Sequence, residues 1–89
     1  MRLKDEYQIR PIAGEQIVII QGEEQTDLTR ILSLNPTAVW LWEQLSGKDF
    51  SEKDVANLLL DRFEIDSATA TADARGWIDS LKHHQILKP

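Results

Sequence analysis

The stretch Leu32-Ser33-Leu34-Asn35-Pro36-Thr37-Ala38-Val39-Trp40-Leu41-Trp42 constrains the fold most, because it joins a strand to a helix with no loop between them. Leu28, Arg30, Leu32 and Leu34 alternate with Thr29, Ile31 and Ser33, the period of a half-buried strand. Leu32 and Leu34 take its core side. Asn35 is a favoured N-cap and Pro36 a favoured first helical residue, so the helix starts where the strand stops. At about 100° per residue, Ala38, Leu41, Trp42 and Leu45 share one helix face and Trp40 falls on the opposite one. Trp42 is therefore a core residue. Trp40 is a surplus ring that either marks a contact surface or is covered by the N-terminal segment.

The remaining elements follow from the same two periods. Tyr7 to Ile12 and Gln16 to Gln21 are strand-like, and the short glycine-containing link Ala13-Gly14-Glu15 makes them a hairpin. Pro11 cannot donate to a ladder, which puts the first strand at a sheet edge. Gly22 to Asp27 forms a polar turn, after which the third strand completes an antiparallel meander and becomes its other edge. Ser46-Gly47-Lys48 ends the first helix. Ser51 caps the second, with Asp54 completing a capping box and Phe50 and Val55 a hydrophobic staple. The apolar stripe of that helix is Val55, Leu58, Leu59 and Phe63. A third helix begins near Asp66 or Ser67 and reaches about His84, with Ala70, Ala74, Trp77, Ile78 and Leu81 inward. Gly76 lies on its far side, where glycine costs about 1 kcal/mol relative to alanine. Ile86-Leu87 closes over the core as a short extended end. The expected fold is α+β and winged-helix-like, a three-stranded antiparallel sheet followed by three helices, in a single domain of residues 1–89.

Several functions are disfavoured. The chain has no cysteine, which removes disulfides and thiolate metal sites. Its net charge is −5, and the third helix carries Asp73 and Asp79 beside Arg75 and Lys82, a poor face for phosphates. A winged-helix nucleic-acid binder is thus the weaker alternative. No apolar run is long enough to span a membrane and no signal sequence opens the chain, so a cytoplasmic protein is expected. The adjacent His83 and His84 diverge on a helix and cannot clamp one ion together. No phosphate loop, nucleophile elbow or acid–base pair stands out, so neither an enzyme nor a cofactor is expected.

The third-strand edge is the feature left to explain. An exposed edge is either protected or used. In use, an extended peptide adds as a further strand and its alternate side chains fill adjacent pockets. Trp77, Ile78 and Leu81 of the third helix could wall such a groove. The competing arrangements are pairing of this edge within a homodimer and occlusion by a chain end.

Taken in order, Leu34-Asn35, Thr37-Ala38, Leu41-Trp42, Gly47, Phe63, Asp73, Ile78 and Leu81 resemble the pattern of the PqqD-like family, over residues 28–87. Its namesake is the peptide chaperone of pyrroloquinoline quinone biosynthesis. The resemblance implies a domain that binds the leader of a ribosomally made precursor peptide and presents it to a modifying enzyme, often a radical SAM enzyme. It implies Thr29, Arg30, Ile31, Leu32, Ser33 and Leu34 as the docking strand, and Ala74, Trp77, Ile78 and Leu81 as the groove wall. This chain departs from the pattern at Gln85, where many members have glycine. Its N-terminal third matches only in strand character.

Overall fold

A computed structural model describes residues 1–21 and 29–88; the expected polar turn at 22–27 and Leu28 lie outside the described residues. The elements run β1 (Arg2–Leu3), β2 (Ile9–Ile12), β3 (Glu15–Gln21), β4 (Thr29–Leu34), α1 (Pro36–Leu45), α2 (Glu52–Arg62), α3 (Ser67–His83) and β5 (Leu87–Lys88). β2, β3 and β4 form the expected antiparallel meander, in that order, and the three helices follow it. The fold is α+β. β2 is shorter than Tyr7 to Ile12, because Tyr7 and Gln8 precede the ladder that begins at Ile9↔Val18. Its turn is the pair Ala13-Gly14, both at positive φ (53° and 82°), which is the backbone of a two-residue hairpin.

Each helix starts at a residue that satisfies its orphan N–H groups. The Asn35 side chain accepts from the Ala38 N–H at 2.8 Å, with Pro36 at the first helical position. Ser51 and Asp54 exchange hydrogen bonds in a full capping box. Asp66 accepts from the Thr69 N–H at 2.7 Å. Hydrogen bonds from the Thr69 side chain and backbone hold the Asp66 carboxyl below its ordinary range.

The helix ends are equally specified. The Lys48 N–H bonds the Leu45 carbonyl across Ser46 (φ −60°, ψ 128°) and Gly47 (φ 77°), a type II turn whose third position needs positive φ. After α3, the Gln85 N–H reaches the Lys82 carbonyl and the Ile86 N–H reaches the Leu81 carbonyl. That is a Schellman motif with Gln85 left-handed at φ 59°. The glycine of the family pattern thus corresponds to a backbone position that favours glycine, and here glutamine adopts it.

The core lies between one sheet face and the helices. Val18 and Ile20 meet Leu41, Trp42, Leu45, Val55, Leu59, Ala70, Ala74, Ile78, Leu81 and Ile86. α2 adds Ala56 to the buried set, while Leu58 and the C-cap Phe63 are half-buried and pack against that core. The opposite sheet face carries Ile12, Ile17, Ile19 and Ile31; Ile17 is buried there and Ile19 half-buried, whereas Ile12 and Ile31 are exposed.

Both chain ends contribute in a way the sequence patterns do not reveal. β1 pairs with β5 through Arg2↔Lys88 and Leu3↔Leu87. The Lys4 N–H bonds the Ile86 carbonyl, and Met1 exchanges two hydrogen bonds with Phe50. Leu3 is fully within the core. The short extended end expected at Ile86-Leu87 therefore has a partner strand, and Ile86 itself is completely buried.

Candidate functional site

β4 has a paired edge and an open one. It hydrogen-bonds β3 from Gln21↔Thr29 to Gln16↔Leu34, and among the described residues no strand pairs with its other edge. The side chains alternate as the sequence predicts. Leu32 and Leu34 lean on the core, Ser33 is exposed, and Ile31 is 60% exposed. Because successive residues of a strand direct their N–H groups to opposite edges, every second peptide group of β4 is available for a further strand.

Asn35, the residue that follows β4, lines a cleft. The Asn35 cap turns the chain at the end of β4, and the first turn of α1 brings Asn35, Thr37 and Ala38 to one side of a 380 Å3 opening. α3 provides the other side through Ala72, Asp73, Gly76 and Trp77. Leu41 and Leu59, both buried, close it from below. A Cβ on Gly76 would meet nothing within 4 Å. The Trp77 ring lies 5.9 Å from Phe50, tilted by 40°, and its indole N–H is buried with no hydrogen-bond partner among the described residues.

Charges around the cleft are unevenly committed. Arg75, one residue from Gly76, is drawn away to Glu52 of α2, with Nε 2.9 Å from Oε1. That hydrogen bond, with the Arg75 charge behind it, holds the Glu52 carboxyl below its ordinary range and raises the Arg75 pKa. Asp73, at the rim, makes no ion pair among the described residues. The rim is therefore acidic and the floor apolar.

The positions singled out from the sequence fall into two groups. Thr29 to Leu34 form β4 and its open edge. Ala74, Ile78 and Leu81 are buried in the core, and of the expected wall Trp77 lines this cleft. The reason is helical phase. The apolar stripe of α3 marks what packs against α2 and the sheet, whereas the flank beside it, with Ala72, Asp73 and Gly76, meets the cleft. Gly76, placed on the far side from the sequence, lines it.

Trp40 is half-buried. It packs edge-on against Phe63, 6.3 Å between ring centroids, with the Arg62 guanidinium 4.8 Å above it. A second opening of 740 Å3, which sequence patterns do not anticipate, lies across the β4–α1 junction and is lined by Ile9, Leu34, Pro36, Val39 and the carboxylates Glu15 and Glu43. His84 Nδ1 is 2.8 Å from the Ser80 carbonyl, a helix-end contact. Among the described residues no three His, Asp or Glu side chains converge as a metal site requires. Nor is any described helix long and apolar enough to cross a membrane.

Comparison with known proteins places this geometry. The model of the family described as "Coenzyme PQQ synthesis protein D (PqqD)" matches residues 16–87. A solved structure described as "TbiB1 in Complex with the TbiA(beta) Leader Peptide" superposes with a TM-score of 0.70, covering 99% of this chain and 95% of that one. Sequence identity is 16%, so the likeness is one of fold, and it extends over the N-terminal segment that the family match omits. No curated protein sequence matches. With residues 16–87 matched, from the start of the second sheet strand to the closing strand, the chain belongs to the PqqD family.

Proposed function

We propose that this domain is a non-catalytic recognition module. It binds the leader of a ribosomally made precursor peptide as a strand beside β4 and presents the precursor to a modifying enzyme, of which the radical SAM class is the family's frequent partner. The open β4 edge, followed directly by Asn35, which lines the α1–α3 cleft, carries this reading. Family membership supports it, as does the solved relative, which was captured with a leader peptide. Such a module acts in the cytoplasm, where its precursor is made.

The physical division of labour follows from strand addition. Main-chain hydrogen bonds to β4 supply affinity that does not depend on sequence, and pockets for alternate side chains supply selection. Ile31 and Ser33 would meet one face of the added strand, while Leu32 and Leu34 face the side on which the helices pack. Trp77, with Ala72, Asp73 and Gly76, would form the α3 side of the groove, and the buried Ala74, Ile78 and Leu81 would hold α3 in position behind it.

The test is amide hydrogen exchange with a synthetic precursor leader that binds the chain. On binding, the alternate N–H groups of Thr29–Leu34 that face away from β3 should become protected, while those already bonded to β3 stay slow. Saturating leader with no new protection in β4 would rule out strand addition at this edge.

A further inference from the structure

Gly76 sits inside the 17-residue helix α3, where glycine is the poorest helix former apart from proline. Two ordinary reasons for a helical glycine are missing. Its backbone is not left-handed, since the positive-φ glycines among the described residues are Gly14 and Gly47. Nor does another element press on it, because a Cβ there would find 4 Å of open space. The fold of the chain itself therefore gains nothing from glycine at this position. What does lie in front of it is the cleft, with Leu41 and Leu59 below, Ala38 opposite and Trp77 alongside. One turn earlier on the same flank stands Ala72, also small.

Resting on the peptide-binding proposal, we infer that Gly76 is a clearance position: the bound leader crosses α3 in van der Waals contact there and sinks one large apolar side chain into the cleft over Leu41 and Leu59. Bare helix backbone lets the peptide come closer by the thickness of a methyl group, and that closeness keeps its main chain within hydrogen-bonding reach of β4. The apolar floor selects an aliphatic or aromatic side chain. The polar rim of Asn35, Thr37 and Asp73 leaves the flanking peptide groups hydrated. Gly76 is thus a specificity-determining residue, conserving room for the ligand at the expense of the helix.

The experiment uses peptides selected from a phage-displayed random library panned on the wild-type chain, retaining those that shift the amide resonances of Ile31–Leu34. Their affinities are then measured for Gly76→Ala and Gly76→Leu. Gly76→Ala should raise the melting temperature of the free domain yet weaken these peptides about tenfold, and Gly76→Leu should abolish binding while remaining folded. Alanine scanning of each peptide against wild type and Gly76→Ala should reveal one large apolar position whose effect is not additive with the substitution. If both variants bind the peptides within about twofold of wild type, the clearance role is overturned although strand addition stands. If no selected peptide perturbs β4, the peptide-binding proposal itself falls, and this inference with it.

Discussion

Ala13 and Gln85 occupy left-handed backbone without being glycine, at φ 53° and 59°. A Cβ in this region crowds the neighbouring carbonyl at a cost of about 1–2 kcal/mol. Gln85→Gly should therefore stabilise the domain by about 0.5–1 kcal/mol, less than the relief itself because glycine also loosens the unfolded chain. Ala13→Gly should act in the same direction, and urea denaturation of both variants checks the expectation. Gln85 also marks how far the sequence can be read. Its departure from the family's glycine is visible in the letters, but the hydrogen bonds that make the position left-handed appear only once Leu81 and Lys82 are seen to accept from Ile86 and Gln85. Gly76 is the reverse case. Its unsuitability for a helix is plain in the sequence, whereas the open space before it is a property of α1 lying opposite.

The helices were the most legible elements, because Asn35, Ser51 and Asp66 are caps with a chemistry that shows in the residue type. The two-residue strands β1 and β5 were not, since two residues carry no period and their pairing joins opposite ends of the chain. The inward stripe of α3 was readable too. Which flank of that stripe faces an opening was not, because hydrophobic phase reports what is covered and is silent about what is left open. A pH dependence belongs at this scale. Glu52, tied to Arg75, and Asp66, tied to Thr69, both have depressed carboxyl pKa values. Their contribution to stability is fully present above the ordinary carboxylate range and is lost as pH falls below about 4. Asp66→Asn keeps the cap but not the charge, so it should flatten the acid limb of a thermal-melt series and leave neutral-pH stability close to wild type. Equal acid sensitivity in the variant would separate the cap of α3 from that pH dependence.

At the scale of the whole molecule, the domain is held together by contacts that span its length. Met1 bonds Phe50, β1 pairs with β5, and Leu3 fills the core beside Ile86. The family match begins at residue 16, yet the first residues are built into the fold. Leu3→Ala should cost about 2–5 kcal/mol in chemical denaturation, a large part of the stability of so small a domain. A loss near zero would show that the N-terminal segment is an accessory rather than a part of the core.

The direct passage from β4 into α1 has a further consequence. Asn35 is at once the residue after the strand and the cap of the helix, so no slack separates the open edge from the cleft. A chain aligned along β4 would therefore be measured as if against a ruler with a fixed stop. Sliding it by one residue turns each side chain to the opposite face. Sliding it by two restores the faces but carries the wrong residue to the stop. Fidelity in choosing a precursor would then lie as much in the distance between two features of its leader as in the features themselves.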